Sequence, residues 1–180
     1  MKKPKTKTPI MTHDEERFIA FEGLVQWTQA VVIQSARVSA ARSNQLTILA
    51  SGAMMEHRQA LYAFHSECHF FVIAAHKLLE FRKWVSSFGL CNTVDFAEID
   101  KFSADDIRYL RNMREHVVEY FRGYGEFSNS WMTETLEYSA DASSVVGTMI
   151  GGKLDWVAFG AAAERLLPQL LAEPIPHAAI

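Results

Sequence analysis

The chain has 180 residues, of which 49% are hydrophobic and 22% are charged, and its formal net charge is −3 at pH 7. This composition excludes a disordered chain and gives enough length to bury a core without disulfide bonds. The slightly acidic balance excludes a globally basic nucleic-acid-binding protein, so contact with a polyanion would need a local cluster of Arg and Lys.

Cysteine content and apolar run length bear on where the protein works. The chain has two cysteines, too few for a disulfide framework, which favours a reducing, cytoplasmic location. Its apolar runs, such as 70–75, are much shorter than the roughly 20 residues that a membrane-spanning helix needs. We therefore predict a cytoplasmic protein with no membrane partner.

The first eleven residues carry four lysines and two prolines but no acidic residue. They predict a disordered basic tail over 1–11. A helical domain is expected over 12–172, and residues 173–180 are expected to form a C-terminal tail.

Two helical stretches are predicted in the first half of the domain. The first spans about 12–41, because Thr12 offers a hydroxyl cap directly before a run of acidic residues. The second spans about 44–87, with Gly52 as its one break or bend. Apolar and aromatic side chains lie on two sides of this second helix, so we expect both sides to be covered by protein.

The second half of the domain is predicted to contain two more helices. Residues 88–102 lack a sustained period and predict a loop, after which Ser103 caps a third helix that ends at Gly123. Residues 126–152 predict a short hairpin or an irregular flap, and a last helix follows over 154–171. The predicted fold class is all-α, an up-and-down bundle of about four long helices with the flap before the last one.

The third predicted helix carries residues that suit phosphodiester chemistry. Arg111 and His116 border one polar face, with Asn112 between them. A guanidinium can bind two phosphate oxygens at once, and an imidazole can transfer a proton near neutral pH. Cleavage of RNA by its own 2′-hydroxyl needs these two functions and no obligatory metal ion. We interpret the neighbouring Arg114 and Glu115 as surface residues.

The same residues resemble a known motif. Arg111, followed by a polar residue and then by His116 after four intervening residues, is similar to the Arg-x(4 to 6)-His motif of the HEPN superfamily of helical domains. The resemblance implies a metal-independent endoribonuclease, active as a homodimer, in a toxin or phage-defence context. It implies that Arg111 and His116 are catalytic and that Asn112 supports them. RNA as the substrate and a cognate antitoxin as a partner are further implications.

One position departs from the motif of HEPN toxins that are paired with nucleotidyltransferase antitoxins. Those toxins often carry a Tyr two residues after the His, where this chain has Val118. Tyr120 lies two residues further along and is a candidate cleft-lining residue.

Three histidines form a stripe on the second predicted helix. His65, His69 and His76 fall within about 40° of one another on a helical wheel, with Glu80 at the margin. The favoured interpretation is a set of hydrogen-bonded buried histidines or a wet subunit interface. In the HEPN interpretation the stripe, with Glu80 or Arg58, lines the RNA-facing cleft beside Arg111 and His116. A metal site is a third interpretation, because His65 and His69 have the spacing that lets two imidazoles bind one metal ion.

Three functions follow from these patterns and stay open at the level of the sequence. The first is a HEPN-like endoribonuclease that needs no cofactor. The second is a non-catalytic helical module that binds RNA, a nucleotide or a protein. The third is a helical bundle that binds a metal ion or a small ligand at the histidine stripe.

Overall fold

A computed structural model of the protein describes residues 11–176. Most of the predicted basic tail, at 1–10, and the end of the predicted C-terminal tail, at 177–180, lie outside the described residues. The described elements are the helices α1 (His13–Ser51), α2 (Met54–Ser87), α3 (Ala104–Glu115), α4 (Val117–Phe121) and α5 (Trp156–Ala172), a short 3-10 helix (Ser128–Ser130), and the strands β1 (Met132–Glu134), β2 (Ser139–Asp141), β3 (Val145–Val146), β4 (Met149–Ile150) and β5 (Leu154–Asp155).

Helices α1 and α2 form a long antiparallel hairpin. A capping box begins α1, because the Thr12 hydroxyl accepts the Glu15 N–H while the Glu15 carboxylate accepts the Thr12 N–H. The hairpin turns at Gly52, whose φ of 76° lies in the left-handed region that glycine adopts without strain. Near the open end of the hairpin, the Phe81 ring of α2 packs directly onto Gly23 of α1.

The predicted end of the first helix near residue 41 is wrong, because α1 continues to Ser51. The polar residues at 42–44 form helix less readily than Ala or Leu, but they do not break one. The buried side chain of Gln45 lies 2.8 Å from Nε2 of His57 in α2, and this contact stabilises the extra turns. The predicted break at Gly52 is confirmed.

The core lies where α2 meets α1 and α5. Phe71 of α2 is fully buried and packs edge to face against Phe159 of α5, with ring centroids 6.1 Å apart. Gly160 of α5 leaves no room for a side chain beside Ser35 of α1, so these two helices approach closely. The buried side chains contributed by the three helices include Leu24, Val31, Phe64, Cys68, Leu78, Ala163 and Leu166.

The prediction of a hairpin or flap before the last helix is confirmed in outline, although the strands form two small sheets. Strands β1 and β2 pair antiparallel, and β3, β4 and β5 form a second antiparallel sheet. We call residues 126–155 the flap. Gly151 of the flap has a φ of 59° and packs against Leu110 of α3, so a side chain at this position would clash.

The protein is therefore mostly helical, with a small antiparallel strand region near the C-terminal end of the described chain. The prediction of four long helices is wrong, because among residues 11–176 α1 and α2, with 39 and 34 residues, are far longer than α3 and α5, with 12 and 17. Within the same residues, no helix is both long and apolar enough to cross a membrane.

Candidate functional site

The helix that carries the Arg-x4-His stretch is interrupted at its histidine. Helix α3 ends at Glu115, and His116 has φ −108° and ψ 29°, which lies outside the helical range. A new short helix, α4, begins at Val117. The prediction of one helix to Gly123 is wrong here. The β-branched pair after His116 forms helix less readily than unbranched residues, which favours a break at this point.

Arg111 and His116 each lie beside a carboxylate of a nearby residue. Nη2 of Arg111 lies 2.8 Å from Oε2 of Glu115, and Nδ1 of His116 lies 3.4 Å from Oε1 of Glu119. The side chains of Arg111 and His116 are 37% and 49% exposed, so both are accessible to a ligand. Ion pairs this exposed contribute little free energy, and a phosphate could replace the carboxylate at small cost.

Asn112 and Tyr120 connect α3 to the flap. Nδ2 of Asn112 donates to the Tyr120 hydroxyl at 3.3 Å, and the same hydroxyl accepts the Phe127 N–H at 3.0 Å. The Tyr120 ring is buried and stacks on Trp131, with centroids 5.2 Å apart. These contacts position the start of the flap against the end of α3.

Three arginines of α3 lie against the histidine stripe of α2. The arginines are spaced by three residues, and the two helices run in opposite directions, so the last arginine meets the first histidine. Nη2 of Arg114 donates to the His65 carbonyl at 3.3 Å, and Arg111 is close enough to His69 and His76 to affect the pKa of both. We call this set the histidine–arginine seam; its members are His65, His69, His76, Arg108, Arg111 and Arg114.

The histidines of the seam favour the neutral form. Burial is the largest cause that lowers the pKa of His65, His69 and His76, and the neighbouring arginines lower it further. Glu115 raises the pKa of His69, and Glu80 raises the pKa of His76, but both effects are smaller than that of burial. A neutral imidazole at pH 7 can accept a proton, which is the property that a general base needs.

Arg114 holds the flap against α2, and its interpretation as a surface residue is wrong. Its Nη1 donates to the carbonyls of Ala142 and Ser143 in the flap at 2.9 and 3.1 Å, while Nη2 donates to His65. Its Nε is buried without a hydrogen-bond partner. Glu115, by contrast, lies at the surface beside Arg111, as predicted.

Two grooves open along the seam. The first, which we call the aromatic groove, has a volume of about 490 Å³ and is lined by Tyr62, His65, His69, Phe70, Arg114 and Ser143 among others. The second has a volume of about 720 Å³ and is lined by His76, Lys77, Glu80, Lys83, Trp84 and Arg108 among others.

The histidines that the sequence analysis selected lie in two different grooves. His65 and His69 share the aromatic groove, whereas His76 and Glu80 share the second groove. Arg111 lies close to a histidine of each groove. His116, Asn112 and Tyr120 line neither of these two grooves.

The stripe does not bring a set of metal ligands together. Within residues 11–176, no three His, Cys, Asp or Glu side chains form a group that could hold a metal ion. His65 and His69 therefore lack a third protein ligand of these kinds among the described residues.

Comparison with known proteins identifies no relative. No family model matches the chain, and no curated protein or solved structure does so either.

Sequence reasoning missed four residues of this site, Tyr62, Phe70, Arg108 and Arg114. The three-residue spacing of Arg108, Arg111 and Arg114 was a usable signal, because it places all three on one side of a helix. Tyr62 and Phe70 gave no such signal, since aromatic side chains on a long helix are more often buried. The expectation that both sides of α2 are covered by protein is wrong at these two positions, which are 55% and 56% exposed.

Proposed function

We propose that the protein is a HEPN-like ribonuclease that binds RNA through the histidine–arginine seam and cleaves it without a metal ion. The observation that carries the proposal is that α3 packs antiparallel on α2 with Arg111 near enough to His69 and His76 to lower the pKa of both, in addition to the larger effect of burial. The arrangement supports a phosphate held by a guanidinium next to a group that accepts a proton. The bundle fold of the HEPN superfamily is part of the proposal, and the antiparallel packing of α3 on α2 is compatible with it.

The proposed reaction is an internal transesterification. His69 or His76 accepts the proton of the ribose 2′-hydroxyl as the 2′-oxygen attacks the adjacent phosphorus. The bond from phosphorus to the 5′-oxygen breaks, and a protonated histidine, for which His116 is the candidate, donates a proton to that oxygen. Arg111 stabilises the charge that develops on the phosphorane. The products are a 2′,3′-cyclic phosphate and a 5′-hydroxyl.

A homodimer belongs to this proposal. In a single chain, His116 lines neither groove of the seam. A second copy that faces the first would bring another Arg111 and His116 to the same phosphodiester, which is the arrangement that the motif resemblance implies.

A second candidate function is RNA binding without cleavage. It is favoured by the separation of His116 from the histidine stripe, because this candidate acid lines neither of the grooves in which the candidate bases lie. The arginines of the seam would still bind phosphates in that case.

The test is cleavage of a mixed RNA pool in EDTA by the purified protein and by three variants: Arg111→Ala, the double variant His69→Gln/His76→Gln, and His116→Ala. We expect cyclic phosphate ends from the wild type and a loss of about 100-fold or more in each variant, the usual contribution of acid–base groups. Arg122→Ala is the matched control, since this exposed arginine follows α4, lines neither groove and, unlike Arg111, is not among the charges that act on His69 and His76.

The outcomes separate the two candidates. An inert wild type whose RNA affinity falls on Arg111→Ala supports binding alone. A wild type that neither cleaves nor binds RNA overturns both, and so does cleavage that all three variants retain.

A further inference from the structure

The aromatic groove exposes two large aromatic rings to solvent. Tyr62 and Phe70 lie eight residues apart on α2, about 12 Å along the helix axis, and are 55% and 56% exposed. Leaving two such rings in water loses the free energy that their burial would provide. Between them the groove floor carries His65, Ser66 and His69. The opening is therefore a short platform of ring faces with polar groups between them.

The volume and chemistry of the groove suit a small planar ligand. Its volume of about 490 Å³ lies inside the range of roughly 300 to 1,000 Å³ that small-molecule sites occupy. The Ser66 hydroxyl and the ring nitrogens of His65 and His69 lie among its lining side chains, and they can serve as donors or acceptors for the edge of a heterocycle.

Charge on the groove favours an anionic ligand. Its lining includes Arg114 and contains no Asp or Glu. Arg58 adds a second cation at the rim, because its Nε donates to the Tyr62 hydroxyl at 2.7 Å and its guanidinium lies 5.6 Å from the centroid of that ring. Stacking surfaces combined with positive charge are the features by which proteins bind single-stranded nucleic acids.

The same charges disfavour a second copy of the chain as the occupant. A symmetric contact would place the groove of one protomer against the groove of the other. The cations of one groove, Arg58 and Arg114, would then face the cations of the other with no acidic residue in the lining to compensate, and like charges that meet across an interface are costly.

We infer that the aromatic groove binds an unpaired nucleobase of the RNA, stacked on Phe70 or Tyr62, next to the phosphate that Arg111 holds. This inference rests on the proposed function and deepens it, because it specifies single-stranded RNA as the substrate class. His69 links the two sites, since it lines the groove and lies beside Arg111. A stacked base would fix the position of the neighbouring phosphate, and the groove would select against duplex RNA, whose bases are not free to leave the stack.

The test compares two RNA oligomers of equal length, one with all its bases and one whose central nucleotides are abasic, by fluorescence anisotropy. We expect wild type to bind the complete oligomer about tenfold more tightly, because one stacked base changes affinity by roughly five- to 150-fold. Phe70→Leu and Tyr62→Leu should reduce this preference without weakening the binding of the abasic oligomer. Tyr124→Leu is the matched control, since that ring is 61% exposed but does not line the groove.

Arg111→Ala separates the groove from the phosphate site. This substitution should reduce the affinity for both oligomers by the same factor, because it removes a phosphate contact and no stacking surface. Equal affinity of wild type for the two oligomers overturns the inference while the proposed function stands.

If the wild type binds neither oligomer, the proposed function is overturned. The groove is then tested with adenosine 5′-monophosphate alone. Amide shifts at Ser66 and Ser143 in a nuclear magnetic resonance titration are the expected result, and their absence overturns the groove as a nucleobase site. Conversion of a dimer to a monomer by Phe70→Leu in sedimentation also overturns it, because the groove is then a subunit interface.

Discussion

Helix α2 has two sides with opposite chemistry, and adjacent residues show the contrast. Phe71 is fully buried against α5, whereas Phe70 is 56% exposed in the aromatic groove. On the buried side the residues are apolar and hold three helices together. On the other side α2 meets α3 through the histidine–arginine seam, where polar groups are only half-buried. The comparison teaches that burial on this helix is divided by face and not by position along the chain.

The largest expected effect is a difference in stability between two neighbouring phenylalanines. Phe71→Ala should lower the free energy of unfolding by about 3–5 kcal/mol, because it leaves a cavity in the core. Phe70→Ala should lower it by less than about 1 kcal/mol, because the ring is already in water. Urea denaturation followed by circular dichroism measures both. Similar losses for the two variants would contradict the division of α2 into a structural and a binding side.

A smaller loss of stability is expected on replacement of Arg114, the residue of the seam that holds the flap. Arg114→Ala should lower the free energy of unfolding by about 2–3 kcal/mol, because it leaves the carbonyls of Ala142, Ser143 and His65 without their charged donor. Amide hydrogen exchange should accelerate in the flap first, at Ser144 and Gly151.

Arg108→Ala is the control for this prediction. Its pair with Asp105 is exposed, so its removal should change the free energy of unfolding by less than about 1 kcal/mol. Unchanged exchange in the flap of the Arg114→Ala protein would show that this arginine does not hold the flap.

The smallest expected effect is a pH dependence of stability that comes from the seam. The pKa of His65, His69 and His76 is lowered in the folded protein, so the unfolded chain binds protons first as the pH falls. Stability from these groups is present above their unfolded pKa of about 6.5 and is lost as the pH falls through the lower folded values.

The charged groups that face these histidines come from α1, α2 and α3. Arg42 and Arg114 face His65; Arg114, Arg111 and Glu115 face His69; Glu80, Arg111, Lys77 and Arg108 face His76. Denaturation between pH 8 and 5 measures the effect, and replacement of all three histidines by Gln should flatten the profile. A wild-type protein that gains stability on acidification over this range would contradict the prediction.

Several elements of the fold were predictable because their signals are local. The Thr12 cap, the break at Gly52 and the cap at Ser103 each depend on a few adjacent residues, and the structure has them where the sequence predicts them. The strand region before α5 was likewise predictable from alternation along the chain. The extension of α1 past residue 41 was not, because it depends on a contact between Gln45 and a histidine of the next helix.

For the candidate site, spacing along the chain was enough to find the residue types, whereas packing between the helices sets which of these residues lie together. The residue types of Arg111 and His116, and the stripe of His65, His69 and His76, could be read directly from their spacing. The role of Arg114 could not, since its carbonyl partners lie 28, 29 and 49 residues away along the chain. The physical reason is that side-chain periodicity fixes which face of a helix a residue occupies, whereas burial and charge pairing depend on what packs against that face.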